Sequence, residues 1–130
     1  MSDKVDFAAH FVEGVRHFNA REFWEAHESW EAIWLVAQSE VEQFLQGLIQ
    51  VAAAYHHVKR GTYAGAIRLF EAGLRRLEPF PPDYCDLDRS AVVSAARRQR
   101  QQLIERQNAP IDFPELILRA DEPAPPFVQW

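Results

Sequence analysis

The sequence has few of the residues that interrupt helices or cross-link chains. It contains one cysteine, Cys85, which cannot form an internal disulfide, so nothing indicates an oxidising compartment. The 130 residues include eight prolines and five glycines, but no proline precedes Pro79 and no glycine follows Gly73. Residues 1–78 therefore contain nothing that forbids a helix, whereas the last third is repeatedly interrupted. This length suits one domain with a core of its own.

The sequence also lacks long apolar segments and an excess of positive charge. Its most apolar stretch, residues 45–55, is interrupted by Gln46 and Gln50 and is shorter than the roughly 20 residues of a membrane span. Residues 1–6 lack the basic and apolar regions of a signal peptide. The net charge of -5 argues against nonspecific nucleic-acid binding, which depends on clustered basic residues. We therefore expect a cytoplasmic protein that binds neither membranes nor nucleic acids.

Apolar residues recur at intervals of three and four along most of the chain, which is the spacing of one helix face. No useful length alternates with the period of two that a strand requires. Asn19 and Ser39 are each followed three residues later by Glu, a pattern typical of a capping box at a helix start. Asp88 is a further predicted N-cap, and Gly61 follows two basic residues as a predicted helix end.

These patterns predict an all-α protein with a five-helix single domain at residues 1–108. Two stacked helical hairpins, at about residues 4–37 and 40–78, are closed by a fifth helix at about residues 88–107. Residues 109–130 hold five of the prolines. We expect them to form an extended Pro-rich tail that docks on the domain or on a partner.

The two hairpins resemble each other when the chain is shifted by 40 residues. The shift aligns small and aromatic residues, including Phe23 with Tyr63, Ala26 with Ala66 and Trp30 with Phe70. The second copy, Ala54 to Gly61-x-Tyr63-x-x-Ala66-x-x-x-Phe70, resembles the tetratricopeptide repeat. That repeat has a period of about 34 residues and normally occurs in three or more copies. We therefore expect stacked hairpins closed by the fifth helix rather than an open superhelix.

Several polar residues fall on apolar faces of the second and third predicted helices. His27 lies near the apolar centre of the second helix, and Glu31 lies one turn later at the margin of the same face. His56 lies on an apolar arc of the third helix. Because buried imidazoles and carboxylates are costly without a partner, we predict that these three side chains pair, with Gln46 close to them.

The same residues belong to strings that resemble a known family. The strings are Phe18-Asn19-x-x-x-Phe23-x-Glu25-x-His27-Glu28-x-x-Glu31-x-x-Trp34 and Gln46-Gly47-x-Ile49-x-x-Ala52-Ala53-Ala54-x-His56, followed by Gly61. They are similar to the prokaryotic domain-of-unknown-function family 309 over about residues 7–78. The resemblance implies a small, all-helical, cytoplasmic protein without an established activity. It marks five positions as matching the family pattern: His27, Glu31, Trp34, Gln46 and His56.

One interpretation of the polar cluster is structural. In it, the cluster fixes how two helices pack, and the protein is a non-catalytic module that binds a protein or peptide partner or associates with itself as a homo-oligomer. Trp24 and Leu35 lie off the apolar centre of the second helix and are candidate exposed anchors.

The alternative interpretation is a metal-dependent hydrolase-like or metal-binding protein. His27-Glu28-x-x-Glu31 partly matches the zincin motif His-Glu-x-x-His, with Glu31 in place of the second His. Two imidazoles and one carboxylate form a known ligand set, so His27, Glu31 and His56 are the predicted ligands if a metal is bound. No glycine-rich phosphate loop is present. We favour the binding interpretation and assign no catalytic residue and no cofactor.

Overall fold

The computed structural model describes residues 5–106 and 111–126. These residues form five α-helices: α1 (Phe7–Asn19), α2 (Phe23–Trp34), α3 (Ser39–Arg60), α4 (Tyr63–Leu77) and α5 (Arg89–Glu105). A short 3-10 helix at Tyr84–Asp86 precedes α5. The only pairing of extended backbone within the two described ranges is an isolated antiparallel bridge between Leu87 and Leu118. The predicted all-α, five-helix domain is confirmed.

Each helix packs against the next one along the chain. The hairpins α1–α2 and α3–α4 are joined through the contact of α2 with α3, and α5 packs against α4. Amphipathic helices connected by short loops bury their apolar stripes in this way, since a lone hairpin leaves one side of each stripe in water. No helix in the described part of the chain is long and apolar enough to cross a membrane.

Aromatic side chains fill the centre of the domain. The Trp30 indole is fully buried, and its Nε1–H donates a hydrogen bond to the Phe11 carbonyl oxygen at 3.2 Å. Gly14 lies directly beneath this indole, where an added Cβ would be 2.1 Å from Nε1. The absence of a side chain at Gly14 therefore allows α1 to approach α2 closely. Tyr55 lies at the other side of the core, among a ring of aromatic residues that comprises Phe18, Phe23, Phe70 and Phe113.

Two of the predicted helix starts are wrong in detail. Asn19 is the last residue of α1, and α2 begins at Phe23 without a side-chain cap. Ser39 is the first residue of α3, and its N-cap position is occupied by Gln38, again without a side-chain hydrogen bond. The Asn19 amide is used instead by a distant segment, described below. A capping side chain is unavailable once a long-range partner occupies it.

The remaining end signals act as predicted. Asp88 caps α5 by accepting a hydrogen bond from the backbone N–H of Ala91 at 3.1 Å. Gly61 ends α3 in the left-handed region with φ of 77°, which glycine adopts without steric cost. These devices need only neighbours in sequence, which explains why the pattern of residues was sufficient to predict them.

Residues 111–126 cross the domain without forming a helix or a strand. Leu116, Pro123 and Pro125 are buried along this segment. Its predicted boundary at 108–109 and the final residues of the predicted tail, 127–130, lie outside the described residues. The described tail segment contacts the end of α1 and the chain that precedes α5, through hydrogen bonds with Asn19, Asp86 and Asp88.

Candidate functional site

The predicted polar residues lie where α2 packs against α3. His27, Glu31 and Trp34 project from α2 at successive spacings of four and three residues, so they share one side of that helix. His56 lies in the last two turns of α3, and Gln46 lies nearer to its start. The contact between the two helices therefore brings residues far apart in sequence to one edge of the domain.

His27 and Glu31 form a loose pair at this edge. Their Nε2 and Oε2 atoms are 3.8 Å apart, and the side chains are 18% and 45% exposed. At that separation the two atoms are not hydrogen-bonded, and solvent screens the half-exposed carboxylate. The Nδ1 atom of His27 is buried and has no hydrogen-bond partner within the described residues. The pair consequently lies at the rim of the domain rather than in a closed core.

Trp24 is the residue that connects the two histidines. Its indole stacks on the His27 ring, with centroids 4.8 Å apart and planes inclined by 8°. It also contacts the His56 ring at 5.5 Å and 43°. The sequence identified Trp24 as a candidate exposed anchor and did not place it against the histidines. Its spacing of three residues from His27 was the signal for this stacking, because residues three apart are neighbours on a helix.

His56 is surrounded by positive charge. Partial burial lowers the pKa of His56 below the ordinary value of histidine. Electrostatic interactions with Arg60, His57 and Lys59 of α3 lower that pKa further. The carboxylate of Glu25 acts weakly in the opposite direction. The His56 imidazole is therefore neutral at pH 7 and adds no positive charge to this edge of the domain.

Trp34 and Gln46 take no part in the pairing that was predicted from the sequence. The Nε1 atom of Trp34 is buried without a hydrogen-bond partner in the described residues. No hydrogen bond within residues 5–106 joins Gln46 to His27, Glu31 or His56. The glutamines of α3 that do form side-chain bonds are Gln43 and Gln50, and both bind Arg76 of α4.

The predicted metal ligands do not form a ligand set. Neither described range contains a group of three or more His, Cys, Asp or Glu side chains that is arranged to hold a metal ion. His27 and Glu31 approach each other, whereas His56 meets the cluster through the Trp24 indole. The Trp24 indole contacts both imidazoles, and His56 forms no hydrogen bond or ion pair with His27 or Glu31 in the described residues.

The solvent side of α2 presents an apolar and acidic surface. We call it the α2 outer face and define it by Trp24, Glu28, Glu31 and Leu35. These positions follow each other at spacings of four, three and four, and Leu35 keeps helical backbone angles at the C-cap. Trp24 is 49% exposed and Leu35 is 70% exposed. Phe23–Trp34 contains no Lys or Arg.

Comparison with known proteins agrees with the motifs. A family model described as Domain of unknown function (DUF309) matches residues 11–69. No curated protein matches the chain. The matched range extends from α1 into α4 and includes the five positions at which the resemblance was predicted. The resemblance predicted from the motifs is confirmed, because residues 11–69 match the DUF309 family model.

Proposed function

We propose that this protein is a non-catalytic binding module whose α2 outer face accepts a basic, amphipathic segment of a partner protein. The observation that carries the proposal is the exposure of Trp24 and Leu35 at the two ends of a stripe whose middle is acidic. Most other large apolar side chains on the helices are buried. Exposed apolar surface that is rimmed by polar residues is a feature of protein–protein contacts.

Trp24 has the properties of an interface anchor. One face of its indole is stacked on His27, so the ring is already held in place before a partner arrives. A large side chain that is ordered in advance loses little conformational entropy on binding. Tryptophan is also among the residues that most often dominate the binding energy of interfaces. The polar cluster therefore has a structural role, in which His27 and His56 support the anchor.

The spacing and charge of the α2 outer face specify the partner. Trp24 and Leu35 are eleven residues apart, which corresponds to about 16 Å along a helix. Glu28 and Glu31 lie between them, and Glu25 lies beside them. A matching ligand carries two apolar side chains about three helical turns apart, with Lys or Arg between them. A basic amphipathic helix meets this description, since its apolar and basic residues share one face.

The same charges disfavour pairing of two copies through this face. In a twofold symmetric contact, each surface meets its own equivalent. Glu28 and Glu31 of one copy would then face the glutamates of the other, and like charges in an interface are repulsive. The homo-oligomer predicted from the sequence remains a prediction, and sedimentation velocity at neutral pH tests it directly.

The proposal is tested with a fluorescein-labelled amphipathic peptide of leucine and lysine. We expect its fluorescence anisotropy to rise on addition of the protein. The double variant Trp24→Ala/Leu35→Ala should weaken binding by at least about tenfold, because both anchors are removed. A peptide in which glutamate replaces lysine should not bind, because the acidic face repels it.

The matched control removes two apolar side chains of similar exposure from other surfaces. Ile104 on α5 and Ile117 in the tail segment are each about half exposed. Ile104→Ala/Ile117→Ala should leave binding of the lysine peptide unchanged. If this control weakens binding as much as Trp24→Ala/Leu35→Ala does, the peptide adheres nonspecifically and the proposed role of the α2 outer face is wrong.

A further inference from the structure

The irregular segment 111–126 is held by a side chain that recognises peptide backbone. The Nδ2 atom of Asn19 donates a hydrogen bond to the carbonyl oxygen of Leu116 at 3.0 Å. The backbone N–H of Leu116 donates to Oδ1 of Asn19 at 2.6 Å. One amide side chain thus satisfies both main-chain polar groups of one residue. These two bonds depend on an extended backbone and not on the identity of the side chain at position 116.

Three side chains of the segment fit separate places on the domain. The Phe113 ring packs on Phe23 and Tyr55, with centroids 5.4 Å and 5.9 Å away. Leu116 is buried, and Leu118 also packs against the core.

Positive and negative groups at the two ends of this segment add selectivity. The guanidinium of Arg21 lies 5.0 Å from the centroid of the Phe113 ring. Nη2 of Arg119 lies 3.2 Å from Oδ2 of Asp88. The first contact selects an aromatic ring through its negative face, and the second selects a cation.

The stretch before α5 binds backbone as well. The N–H of Asp88 donates to the Ile117 carbonyl oxygen at 2.9 Å, and the N–H of Arg119 donates to the Asp86 carbonyl oxygen at 2.7 Å. The Asp86 carboxylate accepts a further hydrogen bond from the N–H of Ala124 at 3.1 Å. Addition of an extended segment to exposed backbone groups is a recurrent mode of peptide recognition.

The floor of this surface contains a polar group that the segment leaves unsatisfied. Tyr55 is 1% exposed, and its hydroxyl has no hydrogen-bond partner in the part of the chain that the structure describes. Phe113 covers its ring, and the charges that act on it belong to Arg98 of α5 and Asp112 of the segment. A buried hydroxyl without a partner is uncommon.

We propose that this surface, the tail groove, is a binding site for an extended peptide of a partner protein, and that residues 111–126 are its displaceable occupant within the chain. The tail groove is defined by Asn19, Arg21, Phe23, Tyr55 and the stretch Asp86–Asp88. Its ligand carries an aromatic residue, a leucine and an arginine at intervals of three. The tail groove is separate from the α2 outer face, so each proposal stands or fails independently.

The test uses the full chain with the double substitution Phe113→Ala/Leu116→Ala, which removes the two buried anchors of the resident segment. The probe is a fluorescein-labelled peptide with the wild-type sequence of residues 111–126. It should bind the double variant at least about tenfold more tightly than it binds the wild-type protein, where the chain's own segment competes. Adding Asn19→Ala to the double variant should weaken that binding by about tenfold, because two hydrogen bonds are lost.

Two controls separate specific recognition from adhesion. The probe with alanine in place of Phe113 and Leu116 should not bind the double variant. The variant Glu115→Ala, which alters an exposed position between the two anchors, should bind the probe as weakly as the wild-type protein does. Trp24→Ala should leave binding of the probe unchanged, which distinguishes this site from the α2 outer face.

Equal binding of the probe to the wild-type protein and the double variant would overturn the proposal, as would binding that is insensitive to Asn19→Ala. If the double variant does not unfold cooperatively, Leu116→Ala alone takes its place. Hydrogen exchange of the wild-type chain gives an independent readout. Excess unlabelled probe should accelerate exchange at the amides of Leu116, Arg119 and Ala124, which the displaced segment leaves unprotected. Unchanged exchange at these three amides also refutes the proposal.

Discussion

Gly14→Ala tests the close packing of α1 on α2 most directly. The added Cβ would lie 2.1 Å from Nε1, 2.4 Å from Cδ1 and 2.6 Å from Cε2 of the Trp30 indole. Trp30 is fully buried, so the ring has no open space into which it moves. The substitution therefore forces the helices apart or displaces the indole, and such overpacking typically costs about 1–3 kcal/mol.

A second cost comes from the hydrogen bond that the indole makes. Displacement of the ring breaks the bond from Trp30 Nε1 to the Phe11 carbonyl oxygen and leaves a buried donor unpaired, which costs about 1–2 kcal/mol. The higher helix propensity of alanine stabilises the variant by about 1 kcal/mol and offsets part of this cost. We expect Gly14→Ala to lower the free energy of unfolding by about 1–4 kcal/mol, which urea denaturation followed by circular dichroism measures.

Gly65→Ala is the matched control for this prediction. Gly65 is also in a helix, but the nearest atom to its added Cβ is Nδ1 of His57 at 3.4 Å, an ordinary contact distance. The gain in helix propensity should then leave stability unchanged or raise it by up to about 1 kcal/mol. Equal effects of the two substitutions on the free energy of unfolding would refute the assigned role of Gly14 in close packing.

Three further predictions concern the polar contacts. Asn19→Ala should lower the free energy of unfolding by about 2 kcal/mol, because both hydrogen bonds to Leu116 are lost. Urea denaturation measures this loss, and an unchanged free energy of unfolding would contradict the contact. Glu31→Gln should change the free energy of unfolding by less than about 1 kcal/mol, since its carboxylate is 3.8 Å from the His27 ring and half exposed. A larger loss in the same assay would show that the pair is stronger than this distance indicates. The lowered pKa of His56 means that the unfolded chain binds the proton more readily, so the free energy of unfolding should fall as pH decreases below about 6.5. Urea denaturation from pH 8 to pH 5 should show a smaller loss for His56→Gln than for the wild-type protein. Identical pH profiles of the two proteins would refute this role of His56.

The helices and several of their ends were predictable because they depend on nearby residues. The spacing of apolar side chains specifies a helix face, and Asp88 and Gly61 act on backbone groups within one turn of themselves. Asn19 matched the same kind of local signal and was misinterpreted. Its amide binds Leu116, which is 97 residues away in the chain. A residue with two competing partners is assigned correctly only when the distant one is known.

The candidate site was predictable in its members but not in its arrangement. The helical wheel identified His27 and Glu31 as neighbours on α2, and they do approach each other. It placed Glu31 at the margin of the apolar face, but it did not show how much of that margin is covered by other helices. Nor did it show that Trp24 turns back onto His27 and contacts His56. Packing between helices decides these details, because it determines which part of each amphipathic face is covered.

The amino-acid sequence by itself determined an all-α chain, the approximate extent of its five helices, the DUF309 motifs and the acidic, partly apolar character of α2. Those properties follow from periodicity, composition and local backbone chemistry, all of which depend only on the order of residues in the chain. Only the tertiary structure decided that Trp24 packs against two histidine rings, that Gly14 leaves space for the Trp30 indole and that Asn19 is hydrogen-bonded to Leu116. Each of these contacts joins separate elements, and its formation depends on how the helices come together in three dimensions.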